Sequence, residues 1–425
     1  MEEKNVPGPA ILGGVPSVTE EQILSNRWPV ITEEDEQAVL KIMRDGNIST
    51  HPVIRELEKD YADYFGRQYA LAHNNGTSAL LAAFYSIGLR PGDEVLVPSA
   101  TFWASVLPML WLGAIPVFCE SEGDRLGIDP EDMEKKITDK TKAIVIVHLW
   151  GLPSKMSEIN AIAKKYNLKI IEDASHAHGA YWRDKPCGSL GDVSVFSLQG
   201  DKLAPGGEGG IYLCSDYSLY ERAVCLGDIT RIIELQTPAR RFAATSFGIK
   251  TRISPLSAAI ARVQLRYLEE RNEKRNTNIK YISSCLEKMG FHTYMSPEHI
   301  KRVYFEFLIR NDRTKTGLPV DLLISSLRAE GCLVSAPRYP LLHQQPFFTE
   351  GAFKEVLRLP ADISAPVYKP DALPKTESMN CDLIKLPSFP CAKQGLLDQY
   401  ILAFEKVTKY ASLIIANSEN IIKGE

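Results

Sequence analysis

The chain of 425 residues lacks any long block of like charges. It carries 49 Lys and Arg residues against 53 Asp and Glu residues, for a net charge of -4, and the two signs are interspersed. A nucleic-acid or polybasic membrane surface would require a concentrated basic patch. The charge pattern therefore predicts small molecules as partners and excludes nucleic acid.

Cysteine is present but never in pairs. The eight cysteines are scattered, with no CxxC pair and no Cys/His cluster at zinc spacing. His176 and His178 lie close together, but no carboxylate or cysteine completes a ligand set, so we predict no metal. The N-terminal stretch MEEKNVPGPAILGGVPS also lacks the basic start and apolar core of a signal peptide. We therefore expect reduced cysteines and a cytoplasmic protein.

One long run without charge extends from Val95 to Cys119. It is long enough to span a bilayer. However, Pro98, Pro108, Gly113 and Pro116 divide it into short pieces. These pieces read as strand, helix and strand buried in a globular sheet, so we predict no membrane span.

The length exceeds what one compact core usually holds. We predict an N-terminal leader over residues 1–25, a large domain over 26–253 and a small domain over 254–425. A long helical pattern that begins at residue 254 joins the two domains. The proline-rich segment from about 350 to 390 lacks periodicity and is predicted to be loop.

The order of elements predicts an α/β fold. Thr32 and Gly46 mark the start and stop of a first helix, and HPVIRELEKDYADYFG is a second. Short apolar strands then alternate with helices. The predicted strands are YALAH, EVLVP, PVFCE, AIVIVHL, KIIED, VSVFS and GGIYLC. Such strands form a mostly parallel sheet with helices on both faces.

Polar residues follow several of these strands directly. Gly76 and Thr77 follow the first strand, Ser99 to Phe102 follow another, and Asp173 and Ser197 end two more. Ligands of parallel sheets bind beyond the carboxyl ends of the strands. The sequence therefore predicts a binding site at this edge of the sheet.

The stretch FSLQGDKLAPGGEGG places Lys202 in a glycine-rich turn between two strands. Most lysines in loops are solvated or form ion pairs. A phosphate loop of the form GxxxxGK[ST] is excluded, because Leu203 stands where the hydroxyl should be. The third interpretation is an amine nucleophile that forms a Schiff base. Only the residues around Lys202 can decide between it and an ordinary loop lysine.

Asp173 makes the nucleophile interpretation specific. Pyridoxal phosphate needs a lysine at its aldehyde carbon and a carboxylate at its ring nitrogen. Lys202 and Asp173 would supply both groups. Gly76 and Thr77, at the first turn of a helix, would bind the phosphate together with Ser197. Phe102 is placed to lie on the ring face, with Trp103 the less favoured choice.

These residues resemble the DegT family of pyridoxal-phosphate sugar aminotransferases, which have the fold type I architecture of the aspartate aminotransferase superfamily. The resemblance rests on four stretches in order. They are NNGTSALLAAFYSIGLRPGDEVLVPSATFWAS, EDASHAHGA, FSLQGDKLAPGGEGG and YPLLHQQPFF. It implies a mostly parallel sheet with helices on both faces, a smaller α+β C-terminal domain and a homodimer.

The resemblance also implies a set of site residues. Lys202 matches the lysine that binds the cofactor covalently, Asp173 the partner of the pyridine nitrogen, and His176 a position near the phenolic oxygen. These three form the predicted catalytic set. The predicted cofactor-binding set contains them together with Gly76, Thr77, Ser78, Phe102, Ser197 and Lys250.

Lys250 departs from the family pattern. Family members usually have asparagine in a G-x-N-x-R segment that reaches the phosphate across the dimer, and here GIKTRI places a lysine there. A lysine can still pair with phosphate as a point charge. Arg252, Tyr339 and His343 lie in segments that line the family's substrate mouth, and we leave Tyr339 and His343 out of the catalytic set.

The implied function is transfer of an amino group from glutamate or glutamine to a keto sugar, with a nucleotide-linked sugar as the expected acceptor. Relatives that have histidine in place of the lysine perform dehydration, whereas this chain has Lys202. Alternatives are a keto-cyclitol or aminoquinoid ring precursor as acceptor, and a pyridoxal-phosphate dehydratase or lyase. A catalytically silent binding protein on the same fold is disfavoured by the intact pair of Lys202 and Asp173.

Overall fold

A seven-stranded sheet forms the centre of the protein in a computed structural model that describes residues 8–418. Its strand order is β1-β9-β8-β5-β4-β2-β3, and only β9 runs antiparallel to its neighbours. The strands are β1 Tyr69–His73, β2 Glu94–Pro98, β3 Ile115–Cys119, β4 Thr141–Val147, β5 Lys169–Asp173, β8 Val193–Ser197 and β9 Gly210–Cys214. Two small antiparallel sheets contain β6 Tyr181–Trp182, β7 Lys185–Pro186 and β11 Ile300–Lys301, and β10 Phe291–His292, β12 Phe307–Asn311 and β13 Leu383–Leu386.

Helices cover both faces of the central sheet. Those before residue 250 are α1 Glu33–Asp45, α2 Val53–Phe65, α3 Gly76–Ser86, α4 Pro130–Lys135, α5 Met156–Tyr166, α6 Tyr217–Gly227 and α7 Ile229–Ile232. Later helices are α8 Pro255–Arg266, α9 Leu268–Leu286, α10 Arg313–Thr316, α11 Val320–Ala329, α12 Pro346–Thr349, α13 Phe353–Leu357, α14 Pro374–Cys381, α15 Gln394–Lys409 and α16 Ala411–Ala416.

Successive side chains of a strand point to opposite faces. Thus Val95 joins the core with α3, and Leu96 joins the core with α4 and α5. The predicted α/β architecture is confirmed.

Local signals explain several helix ends. The backbone amide of Thr32 donates to Asp35 Oδ2 at 2.8 Å at the start of α1, and Gly46 ends this helix with φ of 73°. The predicted helix after β2 is different, since two 3₁₀ helices, Trp103–Ser105 and Leu107–Leu112, replace it. Pro108 has no amide proton and disfavours the α conformation of the residue before it.

The uncharged run from Val95 to Cys119 forms β2, these 3₁₀ helices and β3, as strand–helix–strand burial predicts. Among residues 8–418, no helix is long and apolar enough to cross a membrane.

A second hydrophobic core lies around β10, β12 and β13, with α9, α11 and α15 packed on it. The loop predicted for 350–390 is wrong, because this segment contains α13, α14 and β13. Strand β13 pairs with β12, with Ile384 opposite Ile309. The two strands are far apart in the sequence, so the periodicity of residues 350–390 did not reveal their pairing.

The division into domains at residue 253 stays a prediction. The long helical pattern is two helices, α8 and α9, which meet at Tyr267. Side chains of α8, such as Ala258 and Leu265, are buried in the core of the central sheet. Packing thus associates α8 with the large unit and α9 with the smaller core. Residues 1–7 of the predicted leader and 419–425 of the predicted small domain lie outside the described residues.

The rest of the predicted leader packs on the smaller core through Glu330. The Glu330 carboxylate is fully buried and accepts hydrogen bonds from the amides of Ala10 and Ser17 at 2.7 and 2.9 Å. Lys406 Nζ, also buried, lies 2.7 Å from Glu330 Oε2. One carboxylate therefore holds the N-terminal segment and α15 against the end of α11.

We expect Glu330→Ala to lower the free energy of unfolding by about 3–5 kcal/mol, because it leaves the buried Lys406 ammonium without its carboxylate and with only the carbonyl of Val15 as acceptor. Urea unfolding followed by circular dichroism measures the loss. Asp45→Ala is the control, since Asp45 pairs with Lys41 on the exposed surface of α1 and should change the urea midpoint far less. Equal losses in the two variants would contradict the prediction.

Candidate active site

A cavity of about 890 Å³ opens at the carboxyl ends of the parallel strands. This is the edge of the sheet at which the sequence predicts a site. The predicted residues that line the cavity are Gly76, Thr77, Phe102, Asp173, His176, Ser197 and Lys202. Ser78 and Lys250 are not among the lining residues.

The N-terminus of α3 forms one wall of the cavity. Asn75 caps this helix, since its Oδ1 accepts the amide of Ser78 at 2.8 Å. Ser78 thus contributes its amide to the cap, which leaves Gly76 and Thr77 as the amide donors that face the cavity. A Cβ on Gly76 would lie 3.0 Å from the Cβ of Ser197, so a glycine allows the close approach of these two segments.

Asp173 ends β5 and is only 6% exposed. Its Oδ1 accepts the amide of Ser175 at 3.1 Å, and its Oδ2 accepts the hydroxyl of Ser105 at 2.6 Å. Thr101 Oγ1 lies 2.9 Å from Ser105 Oγ. Because the Ser105 proton is given to Asp173, the Thr101 hydroxyl donates to Ser105, and this chain of hydrogen bonds fixes the carboxylate.

Lys202 lies in the turn between β8 and β9, and only 8% of it is exposed. Burial lowers the pKa of its amine to about 8, although the charge of Asp173 acts in the opposite direction. Its Nζ lies 4.2 Å from the ring centroid of Phe305. An amine with this pKa is partly neutral, and therefore nucleophilic, near neutral pH.

His176 lies in a stack of nearly parallel rings. Its ring is 4.3 Å from Phe305 and 5.4 Å from Trp150, centroid to centroid. Burial and the nearby Lys202 ammonium lower its pKa well below the usual value, so the imidazole is neutral at neutral pH. Its Nε2 lies 3.4 Å from Tyr339 Oη.

Phe102 and Tyr339 flank the mouth of the cavity. Phe102 is 40% exposed, and its ring centroid lies 5.6 Å from that of Tyr339 and 4.9 Å from that of Trp103. The ring is thus free on one side, and its predicted stacking role stays a prediction.

The remaining candidates lie outside the cavity. Lys250 is exposed, so a contact with this cavity would have to be made by a second copy of the chain. Arg252 donates to Ser49 Oγ at 2.8 Å. His343 is buried, and its ring nitrogens lie 2.7 Å from Ser99 Oγ and 3.0 Å from Glu377 Oε1. His343 therefore ties α14 to the loop after β2.

Sequence reasoning missed several residues of the site. Thr101 and Ser105 lie at the end of the stretch NNGTSALLAAFYSIGLRPGDEVLVPSATFWAS, but no sequence motif assigns either residue a contact with Asp173. Phe305 lies in a weak strand pattern on another part of the chain. Among residues 8–418, no group of three or more His, Cys, Asp or Glu side chains is placed to hold a metal ion.

Comparisons with known proteins agree on one family. Residues 29–393 match the DegT/DnrJ/EryC1/StrS aminotransferase family. The GDP-perosamine synthase of Caulobacter vibrioides is 32% identical over 363 residues, which are 83% of this chain and 90% of that protein. A Micromonospora echinospora protein named for L-glutamine:3-amino-2,3-dideoxy-scyllo-inosose aminotransferase activity is 29% identical over 347 residues, 80% of this chain and 82% of its own length. The aminotransferase structure from Psychrobacter cryohalolentis superposes with a TM-score of 0.81 at 25% identity, covering 91% of this chain and 99% of that one.

Proposed function

This chain belongs to the DegT/DnrJ/EryC1/StrS aminotransferase family, and from that premise we propose that it transfers an amino group to a keto sugar with pyridoxal phosphate as cofactor. The observation that carries the proposal is the position of Lys202. A buried amine with a pKa of about 8 shares one cavity with the Asp173 carboxylate and with the N-terminus of α3.

The cavity residues fit this cofactor. The amides of Gly76 and Thr77 and the hydroxyl of Ser197 would hold the phosphate, since a helix N-terminus favours an anion. Asp173 would accept a hydrogen bond from the ring nitrogen and keep it protonated. When bound, pyridoxal phosphate supplies an aldehyde for the amine and a protonated ring that withdraws electrons from the reacting carbon.

In this proposal Lys202 is the nucleophile and the proton carrier. Its neutral Nζ would hold the cofactor covalently, and once an amino donor has taken that place the same Nζ would take up and return the proton at the substrate carbon. The turn GDKLAPGGEGG brings the backbone close to the cavity, and burial of Nζ excludes water from this transfer.

His176 and Phe102 complete the proposed site. His176 is neutral, so its ring can face the phenolic oxygen of the cofactor without adding charge. Its Nδ1 lies 3.4 Å from the amide of Trp150, which favours the tautomer with the proton on Nε2. Phe102 would cover one face of the cofactor ring.

For the substrates, we propose glutamate or glutamine as amino donor and a nucleotide-linked keto sugar as acceptor. The 32% identity to a protein named GDP-perosamine synthase supports the sugar. The relative named for a scyllo-inosose substrate supports a keto-cyclitol as the second candidate. A cytoplasmic location stays a prediction.

We also propose that the protein acts as a homodimer. Bulky apolar side chains are exposed near the cavity mouth, among them Trp103 at 44% and Trp111 at 67%. Lys250 would then reach the phosphate of the other subunit. A monomeric mass in light scattering would overturn this part of the proposal.

The function is tested by the two half-reactions. Purified protein carrying pyridoxal phosphate is mixed with glutamate or glutamine while its absorbance is recorded, and we expect the cofactor to convert to its amine form. A panel of keto sugars and keto-cyclitols is then added, and the product that regenerates the aldehyde form identifies the acceptor. A protein that eliminates water from a sugar without forming the amine cofactor would instead be a dehydratase.

A further inference from the structure

Trp28 makes a hydrogen bond to the backbone of the reactive lysine. Its indole Nε1 donates to the carbonyl oxygen of Lys202 at 3.0 Å, although the two residues lie far apart in the chain. Trp28 follows the N-terminal segment that Glu330 anchors on the smaller core. The segment therefore connects that core to the turn that carries the reactive amine.

The turn has other contacts besides the indole, since Arg338 Nη1 lies 3.3 Å from Asp201 Oδ2. Trp28, Asp201 and Leu203 line a second cavity of about 490 Å³ behind the turn. Within the turn, the amide of Lys202 donates to the carbonyl of Gln199 at 2.8 Å. At the carbonyl of Lys202, the indole hydrogen bond adds a restraint on the turn from a distant part of the chain.

Arg275 of α9 strengthens this hydrogen bond. It is 1% exposed, and its guanidinium carbon lies 3.8 Å from the ring centroid of Trp28. Its Nε and Nη1 are buried and have no hydrogen-bond partner within residues 8–418. Burial lowers its pKa to about 9, so it is charged at neutral pH. The cation lies against the indole ring, where it draws ring electrons away from the N–H group and makes it a better donor.

The segment that follows Trp28 is also held firmly. Arg271 Nη2 donates to the carbonyl of Val30 at 2.9 Å, and Gln264 Nε2 donates to the same oxygen at 3.2 Å. These side chains belong to α9 and α8. The chain just after Trp28 is therefore held by two helices, while the N–H group of Trp28 donates to the lysine turn.

We propose that Trp28 and Arg275 are positioning residues that set the place of Lys202 through its backbone carbonyl. The inference rests on the proposed role of Lys202 as the amine that binds the cofactor. Neither side chain touches the reacting atoms, so their effect is exerted on how Lys202 Nζ is presented and how well it is shielded from water.

The test compares Trp28→Phe with the wild-type protein. The substitution retains an aromatic ring, removes the N–H donor and makes the ring smaller, which the control below matches. Pyridoxal phosphate is removed and added back, and the rate of its covalent attachment is followed by absorbance from pH 6 to 10. We expect attachment near pH 7 to slow about five-fold, the equivalent of one hydrogen bond, and its pH midpoint to rise as the amine becomes better hydrated.

Trp182→Phe is a matched control. The Trp182 indole also donates a hydrogen bond, in this case to the side-chain Oγ of Ser157 at 3.2 Å, and the guanidinium carbon of Arg125 lies 5.3 Å from its ring centroid. It does not contact the lysine turn. This variant should attach the cofactor within two-fold of the wild-type rate, which separates loss of a buried indole donor in general from loss of the Lys202 contact.

Substitutions of Arg275 provide a second measurement should Trp28→Phe not fold. Arg275→Met removes the cation and should slow attachment, whereas Arg275→Lys retains a cation and should restore part of the rate. If those of Trp28→Phe, Arg275→Met and Arg275→Lys that fold all attach the cofactor at the wild-type rate and with the wild-type pH midpoint, the proposal is overturned. If the wild-type protein itself forms no covalent link that Lys202→Ala abolishes, the assigned function fails instead.

Discussion

Lys202→Ala is expected to reduce transamination by about 10³-fold or more, because it removes both the nucleophile and the proton carrier. The half-reaction with glutamate or glutamine, followed by absorbance in single turnover, measures the loss. Borohydride reduction and mass spectrometry should find the cofactor on the peptide that contains residue 202 in the wild-type protein and on no peptide of the variant.

Two controls keep this result specific. Lys280→Ala removes an exposed lysine of α9 and should leave the half-reaction unchanged. Circular dichroism should show that Lys202→Ala is folded, since among residues 8–418 the Lys202 amine contacts the Phe305 ring and makes no ion pair or hydrogen bond whose loss would leave a buried partner. Transamination at the wild-type rate in folded Lys202→Ala would refute the assignment.

The same lysine predicts a pH dependence. Only the neutral amine attacks a carbonyl, and its pKa of about 8 means that about a tenth is neutral at pH 7 and half at pH 8. Attachment of pyridoxal phosphate to the cofactor-free protein should therefore accelerate as the pH rises through 8 and then level off. An ordinary lysine would still be accelerating at pH 10.

Asp173→Asn is expected to slow the half-reaction by about 10²–10³-fold, the range found when one preorganised electrostatic group is removed. The amide has nearly the same shape as the carboxylate but cannot hold the ring nitrogen of the cofactor in its protonated form. The rate constant and the absorbance maximum of the bound cofactor should therefore both change, whereas the affinity for the phosphate end should not.

Asp139→Asn is the matched control for this change. Asp139 is an exposed residue before β4 and far from the cavity lining, so the same loss of charge there should leave rate and spectrum unaltered. An Asp173→Asn protein with the wild-type spectrum would show that another group supports the ring nitrogen.

Local patterns predicted the large unit well. Alternating short apolar strands and amphipathic helices identified the strands of the central sheet and α1 to α3, because apolar periodicity and helix caps are visible within short stretches of sequence. The candidate site followed from strand ends, since Gly76, Asp173 and Ser197 all come directly at or after strands. A rule on parallel sheets was enough to place them together.

Other features could not be predicted from local sequence patterns. The segment 350–390 forms α13, α14 and β13 only because β12 and the central core are there to pair and pack with it. Likewise, the amide of Ser78 donates to the Asn75 side chain and Lys250 lies on the surface of a single chain, and the cofactor-binding roles of both stay predictions. Each of these features depends on which groups come into contact in the folded chain. The spacing of residues in the sequence does not specify those contacts.

The amino-acid sequence by itself determined the α/β class, the family resemblance and the pairing of Lys202 with Asp173, because these depend on short motifs in a set order. Only the tertiary structure decided that Ser105 orients Asp173 and that Trp28, with Arg275 on its ring, bonds to the carbonyl of Lys202. Such contacts join segments distant in the chain, and burial lowers the lysine pKa only once those segments have excluded water.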